Sequence, residues 1–158
     1  MITLLFCSFP SPVGKAIRWF TQGTVGHVDL MLPSGRLLGA QYASGMGAPS
    51  GVQIRPPRYG GMTNVTLVHL PPRLDDDEIY RFATEQIGKP YDLTAIWGFV
   101  AGRDWRDPRG WYCSELIAAA LEDAQIIPRI ETPISKITPQ MLFFALSILP
   151  GVTLEKAS

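Results

Sequence analysis

The chain of 158 residues carries 14 basic and 14 acidic side chains, so its formal net charge at neutral pH is zero. This length is sufficient for a single domain, residues 1–158, whose core needs no disulfide or metal. A balanced charge gives no electrostatic basis for binding nucleic acid or an anionic membrane. The two cysteines and two histidines show none of the close spacings that zinc sites use, so we expect no metal.

The amino terminus, MITLLFCSFP, is apolar but has no basic residue before its apolar run. It also reaches Pro10 too early for a signal peptide or a membrane span. We therefore expect no integral membrane segment. The predicted location is the cytoplasm, unless something other than a signal of its own delivers the chain.

Short apolar runs between turn residues predict an α+β domain with an antiparallel sheet of about five strands. The predicted strands cover residues 2–9, 25–32, 36–41, 51–56 and 64–70. Capping residues and helical spacing predict helices over residues 11–22, 74–88, 94–102, 113 to about 124, and 137–149. Glycine-rich and polar stretches at 42–51 and 103–110 are predicted to be loops.

The stretch RGWYCSELIAAAL, residues 109–121, places Cys113 where an apolar helix begins. The unpaired N–H groups at a helix start favour a thiolate and can stabilise an oxyanion. The alternative is that Cys113 simply packs in the core, as free cysteines often do. One buried stripe is predicted along the helix, formed by Leu116, Ile117, Ala120 and Leu121.

A nucleophilic thiol needs a base, and His27 in the strand VGHVDLML is the preferred candidate. Strand alternation puts Asp29 on the same face as His27. If residues 33–35 form a three-residue hairpin loop, Gln41 lies opposite His27 and could orient its ring. A half-buried strand histidine bonded to a local carbonyl is the alternative reading. His69 has no such polar neighbour and ranks below His27, and Cys7 lies in an unbroken apolar run that predicts a buried, inert thiol.

The order GHVDLML, GVQIRP, GKPYDL, WYCSELIAAAL and ITPQML resembles the circularly permuted branch of the NlpC-like papain-fold cysteine hydrolases. The lecithin retinol acyltransferase family has a similar permuted layout. The resemblance implies a papain-like fold, Cys113 as nucleophile, His27 as base and Tyr91 near the cleft. In that branch a glutamate or histidine often follows the histidine strand as the third polar residue. This sequence departs there, with Gly39 and Gln41 at the two plausible positions.

Aromatic residues flank the candidate nucleophile, and Trp105, Trp111 and Tyr112 either form a substrate wall or pack in the core. Asp92 is predicted to cap the helix that follows it. Glu115 is predicted to be an acid stabilised by the helix dipole, not a general acid.

Together these features predict a thiol hydrolase that cleaves an amide or peptide bond without a cofactor. Its partner is then a peptide or acyl substrate, and the resemblance suggests bacterial or phage cell-wall-type peptides. Two other functions remain open. An acyltransferase or lipid hydrolase would use the same Cys113 and His27, with residues 143–152 as an apolar surface. A binding module would keep the fold without catalysis.

Overall fold

The computed structural model describes residues 1–10, 15, 18–19, 23–42, 50–73, 76–94, 109–129 and 136–157. The predicted helices at 11–22 and 94–102 fall largely outside these residues. The same holds for most of the predicted loops at 42–51 and 103–110, and for Trp105. No helix among the described residues is long and apolar enough to cross a membrane.

The described part of the chain contains one six-stranded antiparallel sheet in the order β4-β3-β2-β1-β5-β6. This arrangement confirms the predicted α+β class, and all five predicted strands are present. The sixth was not predicted because it is short and exposed along its whole length. The strands are β1 Thr3–Ser8, β2 His27–Met31, β3 Leu37–Gln41, β4 Gly51–Arg55, β5 Thr63–His69 and β6 Thr153–Lys156.

The hairpin between β2 and β3 has the predicted three-residue loop. Leu32 N donates to Arg36 O at 2.8 Å, and Gly35 takes a left-handed φ of 77°. A glycine adopts that conformation without the steric cost of a side chain. The strands pair Leu30 with Leu38, and the same register continued to the strand ends places Gln41 opposite His27.

Three complete helices lie in the described residues: α1 Asp77–Glu85, α2 Cys113–Asp123 and α3 Pro139–Ser147. The predicted cap of α3 is confirmed, because the Thr138 side chain accepts a hydrogen bond from Met141 N at 3.1 Å. Gly88 follows α1 with a φ of 89°, which suits the predicted glycine stop. Helix α2 is buried from Cys113 to Leu121, more completely than a single apolar stripe requires.

The two faces of the sheet have different environments because strand side chains alternate. One face and α2 form the main core, to which β1 contributes Leu4 and Phe6. Leu5 and Cys7 point to the other face, where a smaller apolar cluster includes Phe9 and Tyr59. His27 pairs with Cys7 across β1 and β2, so the first residue of β2 lies beside this second cluster.

Candidate active site

Cys113 is the first residue of α2 and is 1% exposed. Tyr112 before it is extended, with φ −102° and ψ 169°, so the chain turns sharply into the helix at the thiol. The first N–H groups of a helix have no acceptor within the helix, and they point toward the space in front of it. The predicted helix start at Cys113 is therefore confirmed.

The GKPYD segment fixes the chain just before Cys113. Trp111 N donates to Pro90 O, and Asp92 N donates to Trp111 O, both at 3.0 Å. The two segments pair in parallel at Tyr91 and Trp111. A side chain at Gly110 would meet Pro90 O at 3.0 Å, so a glycine allows this close approach. The two motifs with the most specific resemblance are thus adjacent in space.

His27 is 4% exposed, and the charge of Cys113 and a side-chain hydrogen bond with it both act to raise the pKa of the imidazole. The Phe9 ring packs edge-on against the imidazole, with ring centroids 5.2 Å apart. The pairing of Cys113 as nucleophile with His27 as base stays a prediction.

A carboxylate and a phenol surround the Nε2 atom of His27. Asp29 Oδ1 lies 3.0 Å from Nε2 as an ion-pair contact, and Tyr59 OH also lies 3.0 Å from it. The Tyr59 hydroxyl donates its hydrogen to Asp29 Oδ2 at 2.5 Å. The Tyr59 oxygen can therefore only accept from Nε2, which must carry a hydrogen. This leaves Nδ1 as the nitrogen that faces Cys113.

The charges at this site favour a cationic His27. Burial is the largest influence and lowers the pKa of His27, but the charges of Asp29 and Cys113 and their hydrogen bonds outweigh it and raise the pKa to about 10. Burial also acts to raise the pKa of Asp29, yet His27, the Tyr59 hydroxyl and the Arg55 guanidinium together lower it. Both directions favour an imidazolium beside a carboxylate.

No hydrogen bond joins Gln41 to His27 in the described structure, although the hairpin register that placed Gln41 opposite the ring is right. Gln41 is 6% exposed, but its Oε1 atom has no hydrogen-bond partner. The place next to the imidazole is filled by Asp29, which follows His27 by two residues on the same strand face. The charged Asp29 side chain, on the same strand as His27, contacts the ring, whereas the neutral amide of Gln41 lies on the neighbouring strand.

The aromatic residues near Cys113 differ in their contacts. Burial and then the charges of Cys113, Tyr112 and Asp92 raise the pKa of Tyr91, so the phenol lies within the electrostatic influence of the thiol. Trp111 is half-buried, and its indole N–H donates to Gln86 Oε1 at 3.2 Å. Tyr112 is 2% exposed and its hydroxyl donates to Ile137 O, which supports packing over a substrate wall.

The remaining candidates have structural contacts. His69 Nδ1 lies 3.0 Å from Thr3 Oγ1 on the far side of β1. Cys7 is fully buried, and burial with the charges of Asp29 and Cys113 strongly raises the pKa of its thiol, as expected of an inert cysteine. Asp92 Oδ1 accepts from Thr94 N at 2.9 Å, as a cap would, while the helix predicted to follow lies largely outside the described residues. Glu115 is fully buried in the first turn of α2.

Sequence reasoning missed the roles of Asp29, Tyr59 and Arg55 around His27. Strand alternation already placed Asp29 on the histidine face, so its proximity could have been weighed against that of Gln41. Tyr59 lies in the turn between β4 and β5, where no pattern links it to His27. Only the folded chain brings that turn over the start of β2.

No family model matches the sequence, and a search of curated proteins finds no match either. The fold is similar to that in the crystal structure of the metalloprotein YiiX from Escherichia coli O157:H7, a DUF1105 protein. The TM-score is 0.63, the sequence identity is 15%, and the match covers 99% of this chain and 96% of that chain. At this identity the similarity concerns the fold alone.

Proposed function

We propose that the protein is a thiol hydrolase that cleaves an amide or peptide bond through an acyl-enzyme on Cys113. The observation that carries this proposal is the buried His27, which lies 3.0 Å from Asp29 and whose pKa is raised by Cys113 as well as by Asp29. A nucleophile, a base and a group that orients the base are the three parts that such chemistry needs. The permuted NlpC-like resemblance assigns the same two residues, Cys113 and His27.

In the proposed reaction the Cys113 thiolate attacks the carbonyl carbon, and the N–H groups at the start of α2 stabilise the oxyanion. As the C–N bond breaks, the His27 imidazolium gives its Nδ1 proton to the leaving amine. Neutral Nδ1 then takes a proton from water, which adds to the thioester and releases the acid and the thiolate. A cationic His27 suits an amide in particular, because an amine leaves only when it is protonated.

The substrate class follows from the resemblance and is proposed on that basis. Cell-wall-type peptides are the substrates that the permuted NlpC-like branch suggests. Tyr91 pairs with Trp111, two residues before Cys113, and its ring centroid is 6.2 Å from that of Tyr42, so the two rings offer an aromatic surface for the acyl part of the substrate.

The word metalloprotein in the name of the YiiX structure invites a test of this chain's own residues. Among the residues that the structure describes, no group of three or more His, Cys, Asp or Glu side chains could hold a metal ion. At the Nε2 atom of His27 the possible donors are one carboxylate and one phenol, and that phenol gives its hydrogen to the carboxylate. This donor set does not fit a metal centre, so no step of the proposed reaction uses one.

Acetylation by p-nitrophenyl acetate tests the thiol chemistry without a known substrate. In Cys7→Ala we expect a single acetyl group on the peptide that contains Cys113, together with continued release of nitrophenol. In the matched Cys113→Ala variant both should disappear. Equal nitrophenol release from the two variants would remove the proposal.

A second candidate, hydrolysis or transfer of a lipid acyl group, has one observation in its favour. An apolar groove lies along α3, and its Ile137 also accepts hydrogen bonds from Tyr112 and Ser114 beside the thiol. The groove is lined by Ile127, Pro128, Ile137, Met141, Leu142, Ala145, Leu146 and Leu149. Faster turnover of p-nitrophenyl octanoate than of the acetate, lost in Ala145→Trp, would favour this candidate over a peptidase.

A further inference from the structure

We infer that Asp29 is the positioning residue for His27, that Tyr59 holds it in place, and that Gly39 provides the space for its carboxylate. This inference rests on the proposed thiol hydrolase and names the parts that keep its base in one orientation. It differs from the pattern of the resembling family, in which the third polar residue follows the histidine strand.

The space at Gly39 carries the argument. A Cβ atom built on Gly39 would lie 1.9 Å from Asp29 Oδ1, well inside any possible contact distance. The carboxylate of Asp29 therefore occupies the volume of a side chain at position 39. A side chain at position 39 of β3 would occupy the same space as the Asp29 carboxylate, so the two cannot be present together. The carboxylate at Asp29 therefore requires a glycine at position 39.

Tyr59 fixes the second oxygen of Asp29. Its hydroxyl donates to Oδ2 at 2.5 Å while its oxygen lies 3.0 Å from His27 Nε2. The phenol thus bridges the carboxylate and the imidazole and sets the direction of both. Asp29 is fully buried, and its Oδ1 meets His27 as an ion pair without a hydrogen bond, so the bond from Tyr59 to Oδ2 is needed to hold the charged carboxylate there.

Arg55 supplies a positive charge behind this pair. Its guanidinium is anchored by Gly39 O at 2.8 Å and Gly51 O at 2.9 Å, and it lies 5.5 Å from the centre of the Tyr59 ring. The groups that act on the charges of His27 and Asp29 are thus Arg55, Tyr59, Cys7 and Cys113. A cation on this side keeps the carboxylate ionised beside the imidazolium.

Three variants test the arrangement: Asp29→Asn removes the charge, Gly39→Ala displaces the carboxylate, and Tyr59→Phe removes the bridge. Gln41→Ala and Tyr80→Phe are matched controls, because Gln41 faces His27 from β3 and Tyr80 is a partly buried phenol on α1. The readouts are an NMR titration of the His27 ring and the pH dependence of Cys113 alkylation by iodoacetamide. Thermal denaturation identifies any variant that does not fold.

In Asp29→Asn and Gly39→Ala the pKa of His27 should fall from about 10 toward its ordinary value of 6.5. Alkylation of Cys113 near pH 7 should slow at least about tenfold, the usual lower scale for loss of an orienting partner. Tyr59→Phe should show a smaller change of the same kind, and both controls should match the wild type. Gly39→Ala needs to displace only the end of the Asp29 side chain. If that variant nevertheless fails to fold, Asp29→Asn tests the same carboxylate without added bulk.

A wild-type His27 titration in both Asp29→Asn and Gly39→Ala would overturn the inference, as would an equal change in Gln41→Ala. The NMR titration of His27 does not require catalysis, so its result is independent of whether Cys113 reacts with a substrate. Failure of the proposed function has a different signature, which is unchanged Cys113 alkylation in His27→Ala.

Discussion

The two histidines of this chain have similar partners in very different surroundings. His27 has the Asp29 carboxylate at 3.0 Å and the Tyr59 hydroxyl at 3.0 Å. His69 has the Glu155 carboxylate at 3.3 Å and the Thr3 hydroxyl at 3.0 Å. The side chain of Asp29 is fully buried, whereas that of Glu155 is 64% exposed. A list of partners alone would not distinguish the two sites.

What separates them is burial and the presence of a thiol. In a buried site a charge pair is weakly screened, and its partners control both orientation and protonation. At an exposed pair water and salt reduce the interaction to a small effect. The Cys113 thiol also raises the pKa of His27, and the described contacts of His69 include no thiol. On this basis we expect His27 to be the base and His69 only to link β5 to its neighbouring strands.

Turnover should show the largest difference between the two histidines. His27→Ala should reduce p-nitrophenyl acetate hydrolysis by at least about a hundredfold, because a general acid and base contributes on that scale or more. His69→Ala should retain most of the wild-type rate. Equal losses from both, with equal losses of thermal stability, would mean that both histidines are structural.

Removal of the carboxylates should separate the sites in stability. Asp29→Asn removes the charge that its buried partners contact. Because those partners then lack it, the variant should lower the free energy of unfolding by about 1–3 kcal/mol. Glu155→Gln removes one partner of an exposed pair and should cost less than about 1 kcal/mol. Urea denaturation measures both, and a larger loss in Glu155→Gln would contradict the comparison.

The pH dependence of stability should carry the signature of His27. Its pKa rises from 6.5 to about 10 on folding, so its stabilising contribution is full below pH 6.5 and is lost as the pH rises through about 10. The free energy of unfolding of the wild type should therefore decline over this range. His27→Gln should flatten the decline, and His69→Gln should keep it. A decline that survives in His27→Gln would assign it to other groups.

Gln41 should have the smallest effect on activity, although it lies opposite His27 in the hairpin register. Because Asp29 already holds Nε2, Gln41→Ala should lower turnover far less than His27→Ala does. Gln41→Glu should keep the activity. If Gln41→Ala instead matched His27→Ala, the neutral amide would be the orienting group after all.

Much of the fold could be predicted from local patterns. Alternation and turn residues located five strands, and the PSG turn gave the correct register between β2 and β3. The edge strand β6 was missed because an exposed four-residue strand has no burial pattern, and its place is set by pairing with β5. Burial of α2 on all sides was also unforeseen, since a sequence shows one helix face and not what covers the others.

The candidate site could be predicted only in part. Cys113 and His27 stand out because their residue types are rare in this chain and their local settings are distinctive. The choice of Gln41 over Asp29 failed because the register places both near His27, and side-chain reach decides between them. The roles of Tyr59 and Gly39 could not be predicted. A turn residue and a position without a Cβ atom affect the site only through the folded chain that packs against them.

The most direct test of the account is iodoacetamide labelling of the two cysteines at pH 7, followed by peptide mapping, in wild type and His27→Ala. Both thiols are buried, so exposure alone does not separate them. The account predicts that wild-type Cys113 is labelled well before Cys7 and that His27→Ala removes this selectivity, because the imidazolium stabilises the Cys113 thiolate. Equal labelling of Cys7 and Cys113 in the wild type, or unchanged selectivity in His27→Ala, would contradict it.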